Sequence, residues 1–130
     1  MRIVGVGVDV VEVGRIRRLL DESGKFRDRV FSDEEIALCE GAARPDECYA
    51  ARWAAREACI KALGGTGGWS WRDVSILRNG DGAPRVVLDG RAKKRAEEIG
   101  VSELLVSLAH ERSVAAAFCV AVGEEPGGSE

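Results

Sequence analysis

The chain reads as an α+β protein in which an antiparallel-rich sheet packs against one long helix. Three observations predict this. Val4, Val6, Val8 and Val10 alternate along an opening strand, which gives it one strongly apolar face. Residues 46–63 are dense in helix formers, with five alanines between Ala50 and Ala58. Asn79-Gly80-Asp81-Gly82 has the chemistry of a hairpin turn, and apolar runs before and after it and near the C-terminus supply further strands.

The elements follow in order. A strand over residues 2–10 leads into a helix from about Glu12 to Leu20, and a short helical turn is expected around Phe26–Val30. Ser32, with Glu35 three residues on, forms a capping box for a helix ending near Cys39. Gly41–Pro45 is a loop, and Asp46 is the expected cap of the long helix, which runs to Leu63. Gly64-Gly65-Thr66-Gly67-Gly68 stops that helix, either as a flexible connector or as a loop whose backbone yields to a bulky ligand. Strands at 73–78 and 84–88, a helix at 91–99 and strands at 103–109 and 113–122 complete the pattern. Residues 1–122 make a single domain, and 123–130 a polar tail expected to be disordered. Ala115, Ala116, Ala117 and Cys119 on the last strand read as ordinary core before they read as an interface.

Composition narrows the function classes. With 130 residues the chain has room for one modest core. Its net charge of −3 argues against a dedicated nucleic-acid binder. Cys39, Cys48, Cys59 and Cys119 form no CxxC pair and read as reduced thiols rather than disulfides or zinc ligands. No n-region or h-region precedes the first strand, and no apolar run approaches the ~20 residues a membrane span needs. A cytoplasmic protein is the expectation.

The chemistry concentrates in two places. Glu57 and Lys61 lie four residues apart, so they share a helix face beside small Ala50, Ala54 and Ala58, with Arg52 and Arg56 pointing elsewhere. Alone this spacing reads as a surface salt bridge. The small neighbours let a ligand or another backbone come close to the charged pair. Gly5, Gly7 and Asp9 share the second face of the opening strand, with room beside the carboxylate. A dinucleotide fingerprint is excluded, because its third glycine would fall at Val10. Asp9 and Glu57 together make two hard oxygen ligands, suited to a Mg²⁺ ion that shares its shell with water and substrate phosphates. His110, the single histidine, sits at a sheet end, and Arg15, Arg17, Arg18, Arg27 and Arg29 concentrate in the first two helical segments.

In this order and spacing, three blocks resemble the small phosphopantetheinyl transferases of the holo-[acyl-carrier-protein] synthase type. They are Gly5-Val6-Gly7-Val8-Asp9-Val10-Val11-Glu12-Val13 with Arg15-Ile16, then Trp53 to Gly64, then Val106-Ser107-Leu108-Ala109-His110-Glu111 followed by Ala115-Ala116-Ala117. Weaker echoes are Phe31-Ser32-Asp33-Glu34-Glu35 and Gly82-Ala83-Pro84. The resemblance implies the compact fold of that family, assembled as a homotrimer with active sites between subunits. It implies transfer of the 4′-phosphopantetheine arm from coenzyme A to a serine of an apo acyl carrier protein, with Mg²⁺ held by Asp9 and Glu57. Lys61 would neutralise a phosphate oxygen, Arg52, Gly82, Ala83 and Pro84 would lie along the nucleotide, and His110 would donate to the coenzyme's phosphates. Arg15 is the preferred contact for the acidic carrier. The general base stays open between Glu57 acting directly and Glu57 acting through a metal-bound water. A binding module of the same fold without transferase activity is the alternative, and two departures from the family pattern hint at it. Arg56 stands where the family has lysine, and Ala109 where it has a hydroxyl residue before the histidine. Which carrier is served, from fatty acid, polyketide or peptide assembly, is not legible.

Overall fold

A computed structural model describes residues 1–65 and 68–125. Its architecture is α+β. The strands are β1 (Arg2–Glu12), β2 (Val74–Arg78), β3 (Pro84–Leu88), β4 (Glu103–His110) and β5 (Val114–Gly123). The helices are α1 (Val13–Glu22), α2 (Gly24–Val30), α3 (Asp33–Glu40), α4 (Pro45–Ala62) and α5 (Gly90–Glu98), with a 3-10 turn at Trp71–Asp73. β1, β5 and β4 form an antiparallel sheet in that order, and β2 and β3 form a separate hairpin. Of the expected tail at 123–130, Gly123 ends β5 and 126–130 lie outside the described residues, as do 66–67 of the glycine run.

One face of the three-stranded sheet carries α4. On that face Gly7 pairs with Cys119, Asp9 with Ala117 and Val11 with Ala115. Small residues on both partners bring the helix close. A Cβ added to Gly5 would run into the Ala62 carbonyl, and one on Gly7 into the Ala58 carbonyl. The room predicted beside Asp9 is therefore filled by helix backbone rather than left open. Ala54, Ala55, Ala58, Cys59, Ala115 and Cys119 are fully buried, so the core is a layer of small side chains between α4 and the sheet.

Three of the alternating valines of β1 point the other way, while Val4, at a break in register between Ile3 and Gly5, packs against the core. Val6, Val8 and Val10 are more than half exposed, and Val8 pairs with an exposed Phe118. The strongly apolar face read from the sequence is real, but within one chain it faces outward.

A second packing layer lies on the far side of α4. Phe26, Phe31, Tyr49, Trp53 and Trp71 form a chain of ring contacts, with adjacent centroids 4.9–6.0 Å apart. Arg56 runs through it. Its guanidinium lies 5.1 Å from the Phe31 ring centroid, donates to the Trp71 carbonyl at 3.0 Å and to the Val30 carbonyl at 2.8 Å, and faces Glu35 at 3.6 Å. Glu35 completes the predicted capping box with Ser32 and also accepts from the Ile76 amide, which ties α3 to β2.

Two expectations are corrected. Asp46 does not cap α4. The helix begins at Pro45, whose fixed φ suits a first helical position, and Asp46 sits in the first turn, paired with Arg17 at 2.7 Å. Cys39 and Cys48 are not separate thiols. They are joined in a disulfide with Cα atoms 5.3 Å apart, because the short loop after α3 brings its last turn against the first turn of α4. Cys59 and Cys119 are free and buried, as read.

Candidate active site

Strand β1 sets Asp9 on its helix-facing side, and the close approach of α4 brings Glu57 and Lys61 to the same edge. The Lys61 ammonium donates to the Val8 carbonyl at 2.9 Å and lies 3.3 Å from Asp9 Oδ1. Glu57 is half-buried. Its carboxyl is pushed above the ordinary value first by burial and then by the negative charge of Asp9, which the positive charges of Arg56, Lys61 and Arg15 only partly oppose. A half-buried carboxylate raised by burial and by a second carboxylate fits a hard divalent cation, whose charge would relieve the repulsion. No cluster of three or more His, Cys, Asp or Glu suited to a metal occurs among the described residues. Two protein oxygens would leave the other ligand positions to water and phosphate.

Beside Glu57 and Lys61 opens a cleft of about 560 Å³, walled by Ile60, Trp69, Trp71 and Val74 and by the backbone at Gly65, Gly68 and Ser70.

A separate cavity of about 290 Å³ gathers Arg52, Gly82, Pro84 and His110 with Arg78 and Ser107. These elements are far apart in sequence: Arg52 comes from α4, Gly82 and Pro84 from the β2–β3 hairpin, and His110 from the end of β4. Arg52 is buried with its Nε lacking a hydrogen-bond partner, and burial is the main cause that lowers its pKa. His110 Nδ1 lies 2.8 Å from Glu47 Oε1. That hydrogen bond is the main cause holding the Glu47 carboxyl below its ordinary value, against the effect of burial. Ala83 holds the turn instead of lining the cavity, its amide donating to Asp81 and its carbonyl accepting from Asn79.

The two cavities share no residue. Within one chain, α4 presents Glu57 and Lys61 to one of them and Arg52 to the other.

Arg15 is exposed on α1, and its charge acts on Glu57. Arg17 and Arg27 of the same basic group are engaged by Asp46 and by Asp28 and Glu40. The two departures from the family pattern also find their places. Arg56 is buried in the aromatic layer. Ala109 pairs with Ala116 next to His110 on the strand, so its side chain lies on the opposite face of the sheet, and the group touching the imidazole is Glu47. Glu47 and Trp71 escaped the sequence reading, and so did the contacts of Glu35 beyond its capping box, to Arg56 and the Ile76 amide. Nothing local signals that Glu47 meets a histidine 63 positions away.

The model of the 4′-phosphopantetheinyl transferase superfamily matches residues 5–119. A holo-[acyl-carrier-protein] synthase of Moorella thermoacetica is 45% identical over 115 residues, covering 88% of this chain and 90% of that protein. The crystal structure of holo-[acyl-carrier-protein] synthase from Neisseria meningitidis superposes with a TM-score of 0.85 at 34% identity, over 93% of this chain and 99% of the other. The Helicobacter pylori synthase in complex with coenzyme A superposes with a TM-score of 0.78 at 30% identity, over 90% and 99%. With its acid pair, its arginine–histidine cavity and these relatives, the chain belongs to the 4′-phosphopantetheinyl transferase superfamily, in its holo-[acyl-carrier-protein] synthase branch.

Proposed function

We propose that the protein transfers the 4′-phosphopantetheine arm of coenzyme A to a serine of an apo acyl carrier protein, with adenosine 3′,5′-bisphosphate as the leaving group. The observation that carries this reading is the corner where the Lys61 ammonium lies 3.3 Å from Asp9 Oδ1 beside a half-buried Glu57 that feels the Asp9 charge. That arrangement suits a metal-bound diphosphate. The coenzyme A held by the Helicobacter pylori neighbour supports the choice of donor.

The serine oxygen attacks the β-phosphorus, and positioning and charge neutralisation carry most of such a transfer. Asp9 and Glu57 would hold Mg²⁺, which when bound supplies positive charge to the diphosphate oxygens. Lys61 neutralises a phosphate oxygen from its place at the strand edge. Glu57 takes the serine proton, directly or through water, and its raised pKa suits it to that work. Arg52 and His110 bind the nucleotide phosphates, with Gly82 and Pro84 beside the nucleotide.

We place the complete site between copies in a homotrimer. Two observations support this. The cavity of Arg52 and His110 and the cleft of Glu57 and Lys61 are separate within one chain. The outward sheet face gathers exposed Val6, Val8, Val10, Leu105 and Phe118, an apolar patch of the kind that marks an interface. Sedimentation velocity should give a trimer, and a monomer at micromolar concentration would overturn the shared site. The same reading sets the enzyme in the cytoplasm. Intact-mass analysis of an apo carrier incubated with coenzyme A and Mg²⁺ tests the reaction. The carrier should gain one arm, and an unmodified carrier would return the protein to a binding role.

A further inference from the structure

Trp71 combines two properties that seldom coincide. Its side chain is 44% exposed, yet it is held firmly. The indole stacks on Trp53 at 5.5 Å and 27°, and the Trp71 carbonyl receives Arg56 Nε at 3.0 Å. Arg56 is itself anchored on the Val30 carbonyl at 2.8 Å and is almost wholly buried. A capping box between Ser70 and Asp73 fixes the 3-10 turn on which Trp71 stands. An exposed aromatic immobilised in advance has little conformational freedom left to lose on contact with a ligand.

We infer that Trp71 is the wall against which the pantetheine arm of the coenzyme packs, with Arg56 as the residue that positions it. This rests on the transferase reading above. Trp71, Ile60 and Val74 line the cleft that has Glu57 and Lys61 at one end. Its volume of about 560 Å³ falls in the ~300–1,000 Å³ range of pockets for small organic ligands. The residues assigned to the nucleotide line a different cavity, so the half of the coenzyme beyond the β-phosphate is the half this cleft can receive. The chemistry agrees. The first carbons of the arm after the phosphate carry two methyl groups, which suit an indole face and the Ile60 side chain. The hydroxyl and amides that follow meet the part of the lining made by Gly65, Gly68 and Ser70. Arg56 holds the wall by donating in two directions at once, which a lysine ammonium on a flexible stem does less rigidly.

The test compares two ligands that differ in the arm. Calorimetric titration of the Mg²⁺-loaded protein with coenzyme A and with adenosine 3′,5′-bisphosphate should show both binding the wild type. Trp71→Ala should weaken coenzyme A about tenfold and leave the bisphosphate within about twofold. Trp71→Phe should recover most of the loss. Arg56→Lys should raise the KM for coenzyme A with kcat little changed. Trp71→Leu replaces Trp71→Ala if the alanine variant melts early. Equal losses for both ligands, or no loss for either, would overturn the assignment. A wild type that binds neither ligand would overturn the transferase reading, and this inference with it.

Discussion

Lys61 reaches from α4 to β1, with its ammonium 2.9 Å from the Val8 carbonyl oxygen and 3.3 Å from Asp9 Oδ1. The side chain remains more than half exposed, so this pair is weak in the way exposed ion pairs are, about 0–1 kcal/mol. A bond that weak is readily exchanged for a phosphate oxygen. Lys61→Ala should lower turnover by roughly 10²-fold, the scale of losing one charge-stabilising group. Its melting temperature should hardly move. A variant with normal turnover and reduced stability would make Lys61 a structural bridge only.

Asp9→Ala and Glu57→Ala should each abolish Mg²⁺-dependent transfer while preserving the circular dichroism spectrum. Glu57 adds a pH signature. Burial and Asp9 raise its folded-state pKa, so the folded protein holds the proton more tightly than the unfolded chain. That stability is fully present below the unfolded value and is lost as pH rises through the folded one. In the presence of chelator, Glu57→Gln should therefore melt about 2 °C higher than wild type at neutral pH, and the gain should vanish on acidification. Mg²⁺ should stabilise the wild type at neutral pH and not the variant. Calorimetry across pH with and without Mg²⁺ reads all of this, and equal Mg²⁺ stabilisation of both proteins would remove Glu57 from the metal site.

Much of this was legible because it is local. The alternation of valines, the Ser32–Glu35 capping box, the Asn79–Gly82 turn and the spacing of Glu57 and Lys61 each act within a few residues, and each stands in the fold near its expected bounds. What the sequence hid was which surface each pattern meets. Nothing in the alternation says that Val6, Val8 and Val10 face outward and the glycines take the helix; that depends on the Ala58 and Ala62 carbonyls half a chain away. The same holds for Glu47 with His110 and for Cys39 with Cys48, pairs made by the path of the chain between them. Arg56, read only as a departure from the family pattern, is a third such case. Its partners, Val30 and Trp71, are invisible from the signature helix.

Gly7 tests the seam between strand and helix. An added Cβ would collide with the Ala58 carbonyl, and backbone in a helix has nowhere to retreat. Gly7→Ala should destabilise the fold by about 1–3 kcal/mol or more, as overpacking does, and should reduce activity along with it because Asp9 would be levered away from Glu57. Gly24 is the control. Its Cβ would meet nothing within 4 Å, and it opens α2, so Gly24→Ala should be neutral or stabilising by about 0.5–1 kcal/mol. Urea unfolding of the two variants should separate them clearly. A tolerated Gly7→Ala would mean the seam is looser than the close approach of α4 to β1 requires.

Arg15 tests the landing of the carrier. It stands exposed on α1, and its charge acts on Glu57. Arg17, two residues on, is held by Asp46 at 2.7 Å and has less charge to offer a partner. A rim arginine facing an acidic helical carrier acts mainly through steering, which salt screens over about 10 Å at 0.1 M ionic strength. Arg15→Glu should therefore raise the KM for the carrier roughly tenfold at low salt, while the KM for coenzyme A stays close to wild type. Added salt should weaken the wild type and narrow the gap between the two proteins. Loss of coenzyme A binding with carrier binding intact would reverse the assignment of the two surfaces. Unchanged kinetics toward both substrates would leave Arg15 an ordinary solvated residue of α1.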